Sequence, residues 1–175
     1  LNYMADKINI AIDAMGGDDA PKKIIEGINI SLQSNKENFF FLYGKQDLLE
    51  KEIIKNKLVK KYSEIVDTND VILDNESPLT AAKRGKQTSM WRAIESQKEN
   101  KSDISLSAGN TGALLVISRL ILNTINGISK PALAGLWPNN YNMNVVFWYN
   151  MPRAIPIDEM PFKNLACNSY YMRER

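Results

Sequence analysis

The chain has 175 residues, 44% of them apolar and 24% charged, with a formal net charge of +2. That balance is ordinary for a folded soluble domain, and so small a charge gives no reason to expect nucleic acid or an anionic membrane as a partner. Histidine is absent and cysteine occurs once, at Cys167, so imidazole zinc sites, serine–histidine triads, histidine general bases and intrachain disulfides are excluded.

The chemistry left to this sequence is that of carboxylates, lysine, arginine, hydroxyls and backbone dipoles. Leu1 to Lys7 lacks the apolar core of a signal peptide. No uninterrupted apolar run approaches the ~20 residues of a membrane-spanning helix. The expectation is a cytoplasmic protein.

Ile8 to Ile12 alternates as a short buried strand and ends in Asp13-Ala14-Met15-Gly16-Gly17-Asp18-Asp19. Pro21 then marks a helix start, and Ile24, Ile25, Ile28 and Leu32 form its apolar stripe. Phe39 to Tyr43 predicts a second strand, and Leu48, Leu49, Ile53, Ile54 and Leu58 a second, lysine-rich helix. Ile65-Val66 and Val71 to Leu73 are weaker strand signals. Ser77-Pro78 has the chemistry of a helix cap followed by a first-turn proline. Lys83-Arg84-Gly85-Lys86 interrupts that helix, and Thr88-Ser89-Met90-Trp91 starts another, in which Met90 and Trp91 read as core.

Ile104 to Leu106 predicts a further strand running into Ser107-Ala108-Gly109-Asn110-Thr111-Gly112. The apolar helix after it reaches about Asn123, Pro131 to Trp137 is extended or strand, and Val145-Val146 closes the pattern. Strands alternating with helices at this spacing predict parallel βαβ units and an α/β layered fold. Residues 147–175 differ: six aromatics, no glycine, and Pro152, Pro156 and Pro161 spaced to suit neither a long helix nor a central strand. An irregular tail is expected there.

Three loops follow predicted strands or open helices, where an α/β sheet offers its binding edge. Asp13 to Asp18 combines two carboxylates with Gly16 and Gly17, and reads either as a ligand-approach loop or as a tight capping turn. Lys83, Arg84, Lys86, Thr88 and Ser89 read either as a phosphate cradle or as an exposed basic turn. Ser107, Gly109, Asn110, Thr111 and Gly112 stand where a helix start would offer free N–H groups to an anion, or only cap the helix. Neither dinucleotide nor Walker spacing is present.

Four stretches, in this order, resemble the bacterial phosphate acyltransferase family of phospholipid synthesis, the acyl-acyl carrier protein:phosphate acyltransferases. They are Ile12-Asp13-Ala14-Met15-Gly16-Gly17-Asp18 with Pro21; Ser77-Pro78 through Trp91; Ser107 through Leu114; and Gly127 through Ala134 with Trp137-Pro138. The resemblance covers residues 8–146. It implies a three-layer α/β/α Rossmann-like sheet, of which this chain has the N-terminal half only. It also implies transfer of an acyl group from acyl carrier protein to inorganic phosphate, with no cofactor and no metal. The implied partners are the carrier protein as donor, a second identical subunit and a membrane acyltransferase that uses the product, with no nucleic acid; the implied location is cytoplasmic or membrane-associated.

Carried over by motif, Asn110, Lys83 and Arg84 are the expected catalytic residues. Asp13, Gly16, Gly17, Asp18, Lys86, Ser89, Ser107, Gly109, Thr111 and Gly112 are the expected phosphate and substrate contacts. Dianionic phosphate can attack a thioester without a strong base, which suits a chain without histidine. Family members are longer and continue differently after Val146. The expectation is therefore a truncated product of a frameshifted or split gene, with 147–175 a non-family tail and doubtful activity. The competing readings are a phosphate-binding fragment completed by a separately encoded second half, and an acetyl or butyryl transferase using a coenzyme A thioester.

Overall fold

A computed structural model describes residues 7–124, residue 126 and two strand segments, 133–138 and 143–148. The order is β1 (Asn9–Asp13), α1 (Lys22–Ser34), β2 (Phe39–Gly44), α2 (Gln46–Ile53), α3 (Lys57–Tyr62), β3 (Ser63–Asp67), α4 (Pro78–Arg84), α5 (Ser89–Lys98), β4 (Ile104–Ser107) and α6 (Thr111–Leu122). Strands β1 to β4 form one parallel sheet in the order β3-β2-β1-β4. The fold is α/β and Rossmann-like.

The period of two along each strand sorts the core into layers. Ile12 of β1 and Phe40 and Leu42 of β2 pack with Ile25, Ile28 and Leu32 of α1, Leu49 and Ile53 of α2 and Val59 of α3. The alternate residues Ala11 and Tyr43 meet Ala93 of α5 on the opposite face. Helices therefore cover both faces, giving the three layers expected. A further apolar cluster, Ala81, Met90, Ile94, Ala113, Ile117 and Ile121, joins α4, α5 and α6.

The strand order fixes where a ligand can sit. The chain builds outward from β1 through β2 to β3, then returns to place β4 on the other side of β1. Successive loops thus leave the sheet toward opposite faces at the β1/β4 boundary, the topological switch point where open α/β sheets bind ligands. The loops after β1 and β4 are the glycine-rich ones.

Three local expectations change. The predicted second helix is two, because the chain breaks between Ile53 and Lys57; this buries Val59 completely and leaves Ile54 exposed. Val71 to Leu73 is not a strand: only Asp70 bridges, to Thr88, with Asp70 donating to the Gln87 carbonyl and accepting from the Ser89 amide. Residues 133–138 and 143–148 form β5 and β6, an antiparallel pair rather than a parallel unit, and β6 continues through Phe147 and Trp148. The rest of the predicted tail, 149–175, lies outside the described residues. Among the described residues no helix is long and apolar enough to cross a membrane.

Candidate functional site

Asp13 ends β1, and its side chain falls on the α5 face, opposite Ser107 in the β1/β4 register. It is almost fully buried. Its Oδ1 accepts from the Ser89 hydroxyl at 2.6 Å and from the Met15 amide at 3.3 Å, and its Oδ2 accepts from the Ser107 hydroxyl at 2.8 Å. The Gly16 amide also points at this carboxylate. Burial pushes the Asp13 pKa above the ordinary value of 3.8, while these four donors pull the other way.

The direction of that shift sets a stability prediction. Below 3.8 the carboxyl is protonated in both folded and unfolded chains; as pH rises, the unfolded chain ionises first, and stability is lost until the folded carboxyl has titrated. The stability of the parent relative to an Asp13→Asn variant is expected to fall as pH rises from about 4 through the raised pKa, then level off. Urea denaturation of both chains across that range checks it, and a difference independent of pH would refute the assignment.

The two glycine loops meet directly. A Cβ on Gly16 would stand 2.6 Å from Asp13 Oδ2, 2.9 Å from the Gly109 nitrogen and 3.0 Å from Ser107 Oγ. Gly17 has φ +89°, and a Cβ there would lie 2.7 Å from the Ala108 carbonyl oxygen. These glycines serve loop-to-loop approach in the first place. Ser107 Oγ in turn accepts from the Gly109 amide at 3.1 Å.

Asn110 caps α6. Its Oδ1 accepts from the Ala113 amide at 3.0 Å, and its Nδ2 donates to the carbonyls of Leu73, Asp74 and Glu76 at 3.3, 3.1 and 2.8 Å. The Asn110 amide is therefore committed to the fold, as cap and as latch on the 73–76 loop. In the first turn of α6, the N–H groups of Thr111 and Gly112 have no acceptor among the described residues. Unpaired N–H groups at a helix start carry positive partial charge.

What meets the start of α6 is the start of α4: a Cβ on Gly112 would lie 2.7 Å from Pro78 Cγ. Lys83 stands five residues further along α4, about 8 Å at 1.5 Å per residue. Arg84 spends its guanidinium elsewhere, on Asp70 at 3.0 Å, Glu76 at 2.8 Å and the Val71 carbonyl at 2.8 Å. Lys83 and Lys86 are exposed and have no ion-pair partner among the described residues. Asp18 is exposed at the outer edge of the first loop.

The fold thus gathers Asp13, Gly16, Gly17, Ser89, Ser107, Gly109, Asn110, Thr111 and Gly112 around the switch point. It leaves Arg84 as a structural clamp. Asp70 and Glu76, which hold that clamp, were invisible to pattern reading, since neither lies on an apolar period or in a glycine loop. Among the described residues no cluster of three or more acidic or cysteine side chains could hold a metal ion.

The chain matches the model of a family described as fatty acid synthesis protein over residues 8–150. It is 54% identical over 143 residues to the phosphate acyltransferase of Pelagibacter ubique (strain HTCC1062), covering 82% of this chain and 42% of that protein. It is 41% identical over 164 residues to the phosphate acyltransferase of Rhodopseudomonas palustris (strain TIE-1), covering 93% and 46%. It is also 42% identical over 144 residues to that of Bradyrhizobium diazoefficiens, covering 82% and 41%. The chain spans less than half the length of these curated relatives.

Proposed function

Since the chain belongs to the family of fatty acid synthesis proteins, we propose that it forms the phosphate-holding part of an acyltransferase that makes acyl phosphate. A phosphate oxygen attacks the thioester carbonyl of an acylated carrier protein, the carbon–sulfur bond breaks, and the thiol of the carrier leaves. The observation that carries this reading is the meeting of two glycine loops at the switch point, with the Thr111 and Gly112 N–H groups at the start of α6 unpaired among the described residues. These donors hold the phosphate dianion. Lys83 and Lys86 contribute positive potential from the surface, and Asp18 flanks the opening.

The reading needs no side-chain base, because attack by a dianion held in place draws its acceleration from orientation and fixed dipoles. Arg84 and Asn110, expected as catalytic from motif, act in this account by shaping the turn. A cytoplasmic or membrane-surface homodimer is the assembly that goes with it, and carrier protein is the donor.

A second reading has its own support: the chain spans only 42% of its Pelagibacter ubique relative. On that reading it holds phosphate but turns over only when the remaining portion of such a protein is supplied. The test is acyl phosphate formation from acylated carrier protein and inorganic phosphate, trapped with hydroxylamine. The assay uses the 175-residue chain alone and then mixed with the separately expressed remainder of that relative. Turnover by the chain alone supports the first reading, and turnover only in the mixture supports the second. No turnover in either, with the intact relative active alongside, sinks both.

Phosphate itself should stabilise the chain. At a concentration ten times its dissociation constant the expected gain is about 1.4 kcal/mol, seen as a higher unfolding midpoint that chloride at equal ionic strength does not reproduce.

A further inference from the structure

Asp13 sits at the centre of the candidate site yet turns its carboxylate away from solvent. Among the described residues its contacts are the Ser89 and Ser107 hydroxyls and the Met15 and Gly16 amides, all uncharged. A carboxylate buried without a counter-ion is costly, and hydrogen bonds offset that cost only in part. A group kept at such a cost in the middle of a site calls for a reason other than stability.

The reason lies in what the carboxylate connects. Ser89 opens α5, 76 residues away in sequence, and Ser107 ends β4, 94 residues away. Ser107 passes the connection on by accepting from the Gly109 amide. Gly109 in turn lies against Gly16: a Cβ on Gly109 would be 3.1 Å from the Gly16 Cα. The chain Ser89–Asp13–Ser107–Gly109 therefore ties three loops into one unit just before the free N–H groups of Thr111 and Gly112.

We propose that Asp13 is a positioning residue. Through Ser107 it locks the Gly109–Gly112 turn against Gly16, holding the first-turn N–H groups of α6 where they meet a phosphate oxygen. Asp13 and Ser107 then never touch substrate, which changes the role their place in the motifs suggests. The proposal deepens the phosphate reading and rests on it for its functional consequence, but its structural part stands separately.

Chemistry explains why the residue is aspartate. Ser89, Ser107 and two amides all donate to it, and only a carboxylate offers acceptors on both arms. Asparagine has one carbonyl and one amino arm, so one serine must reverse its hydrogen bond. If Ser107 reverses, its hydroxyl hydrogen loses its acceptor, and its oxygen must accept from both the new amino group and the Gly109 amide, which weakens the anchor of the turn.

The experiment uses the intact 175-residue chain and its Ser107→Ala, Ser107→Thr and Asp13→Asn variants. Amide hydrogen exchange by NMR reads the lock, and calorimetric titration with inorganic phosphate reads its consequence. Ser107→Ala is expected to speed exchange at the Gly109 amide by about fivefold, the scale of one net hydrogen bond. Amides of β1 should be unchanged, and Ser107→Thr, which keeps the hydroxyl, should restore the parent rate. Phosphate affinity is expected to fall about tenfold in Ser107→Ala and Asp13→Asn and to recover with threonine.

Unchanged Gly109 exchange in Ser107→Ala overturns the lock whatever phosphate does. Altered exchange with undiminished phosphate affinity overturns the positioning role and leaves the phosphate reading standing. A parent chain that does not bind phosphate overturns that reading, while the exchange data still decide the lock. If Asp13→Asn does not fold, the two Ser107 variants carry the test.

Discussion

Replacing Asn110 with alanine is expected to cost the fold roughly 2 kcal/mol, the sum of about 1 kcal/mol for a lost helix cap and a similar amount for the released loop. One side chain holds both ends of that sum: its oxygen caps α6 at Ala113, and its nitrogen gathers the carbonyls of Leu73, Asp74 and Glu76. For a chain of this size the thermal midpoint should fall by about 4–8 °C. Asn110→Ser separates the two contributions, since a serine oxygen can still cap but cannot reach three carbonyls; it should recover about half the loss.

Any loss of acyl phosphate formation in Asn110→Ala comes with a loosened α6 start, so it does not by itself make Asn110 a group that touches substrate. A variant as stable as the parent but inactive would contradict the structural assignment. Equal thermal midpoints for the parent and Asn110→Ala are the result that would overturn it.

The second large effect is a pair of glycine-to-alanine substitutions with opposite signs. At Gly16 the added methyl meets Asp13 Oδ2 at 2.6 Å and the Gly109 nitrogen at 2.9 Å, and the latter is backbone that cannot swing aside. Separating the loops should cost about 2–3 kcal/mol by overpacking. At Gly27, inside α1, none of the described residues comes within 4 Å of the added methyl. There alanine should stabilise by about 0.5–1 kcal/mol, because it restricts the unfolded chain and propagates a helix better. Urea denaturation of both variants tests the pair. If Gly16→Ala matched Gly27→Ala, the back-to-back packing of the loops would be wrong.

Both predictions come from the same feature of the fold. The switch-point loops are held by contacts between segments remote in sequence, not by their own turn chemistry. Asp13 reaches Ser89 and Ser107, and Asn110 reaches the 73–76 loop, across 76, 94 and 34 to 37 residues. Asp13 and Asn110, both placed in the motifs as site residues, form hydrogen-bonded struts between loops.

Sequence alone carried the layered α/β class, because period-two strands and period-3.6 helices imprint their burial directly on the order of residues. Ser77 as cap with Pro78 in the first turn, the interruption at Gly85 and the burial of Met90 follow from the same local rules, and the structure agrees at each. It also located the glycine loops, since a strand that stops at Gly-Gly or Gly-Asn-Thr-Gly before a helix has few other conformations open to it. Tertiary structure decided the rest. The strand order β3-β2-β1-β4 puts the first and fourth loops together, and no local pattern encodes which strands become neighbours. The same holds for Arg84: three cations in four residues look like a phosphate cradle, but Asp70 and Glu76, distant in pattern and close in space, claim the guanidinium. Hydrogen-bond partners are set by where the fold brings donors and acceptors, so the site's residue types can be read along the chain, while their duties are assigned only when the sheet closes around Asp13.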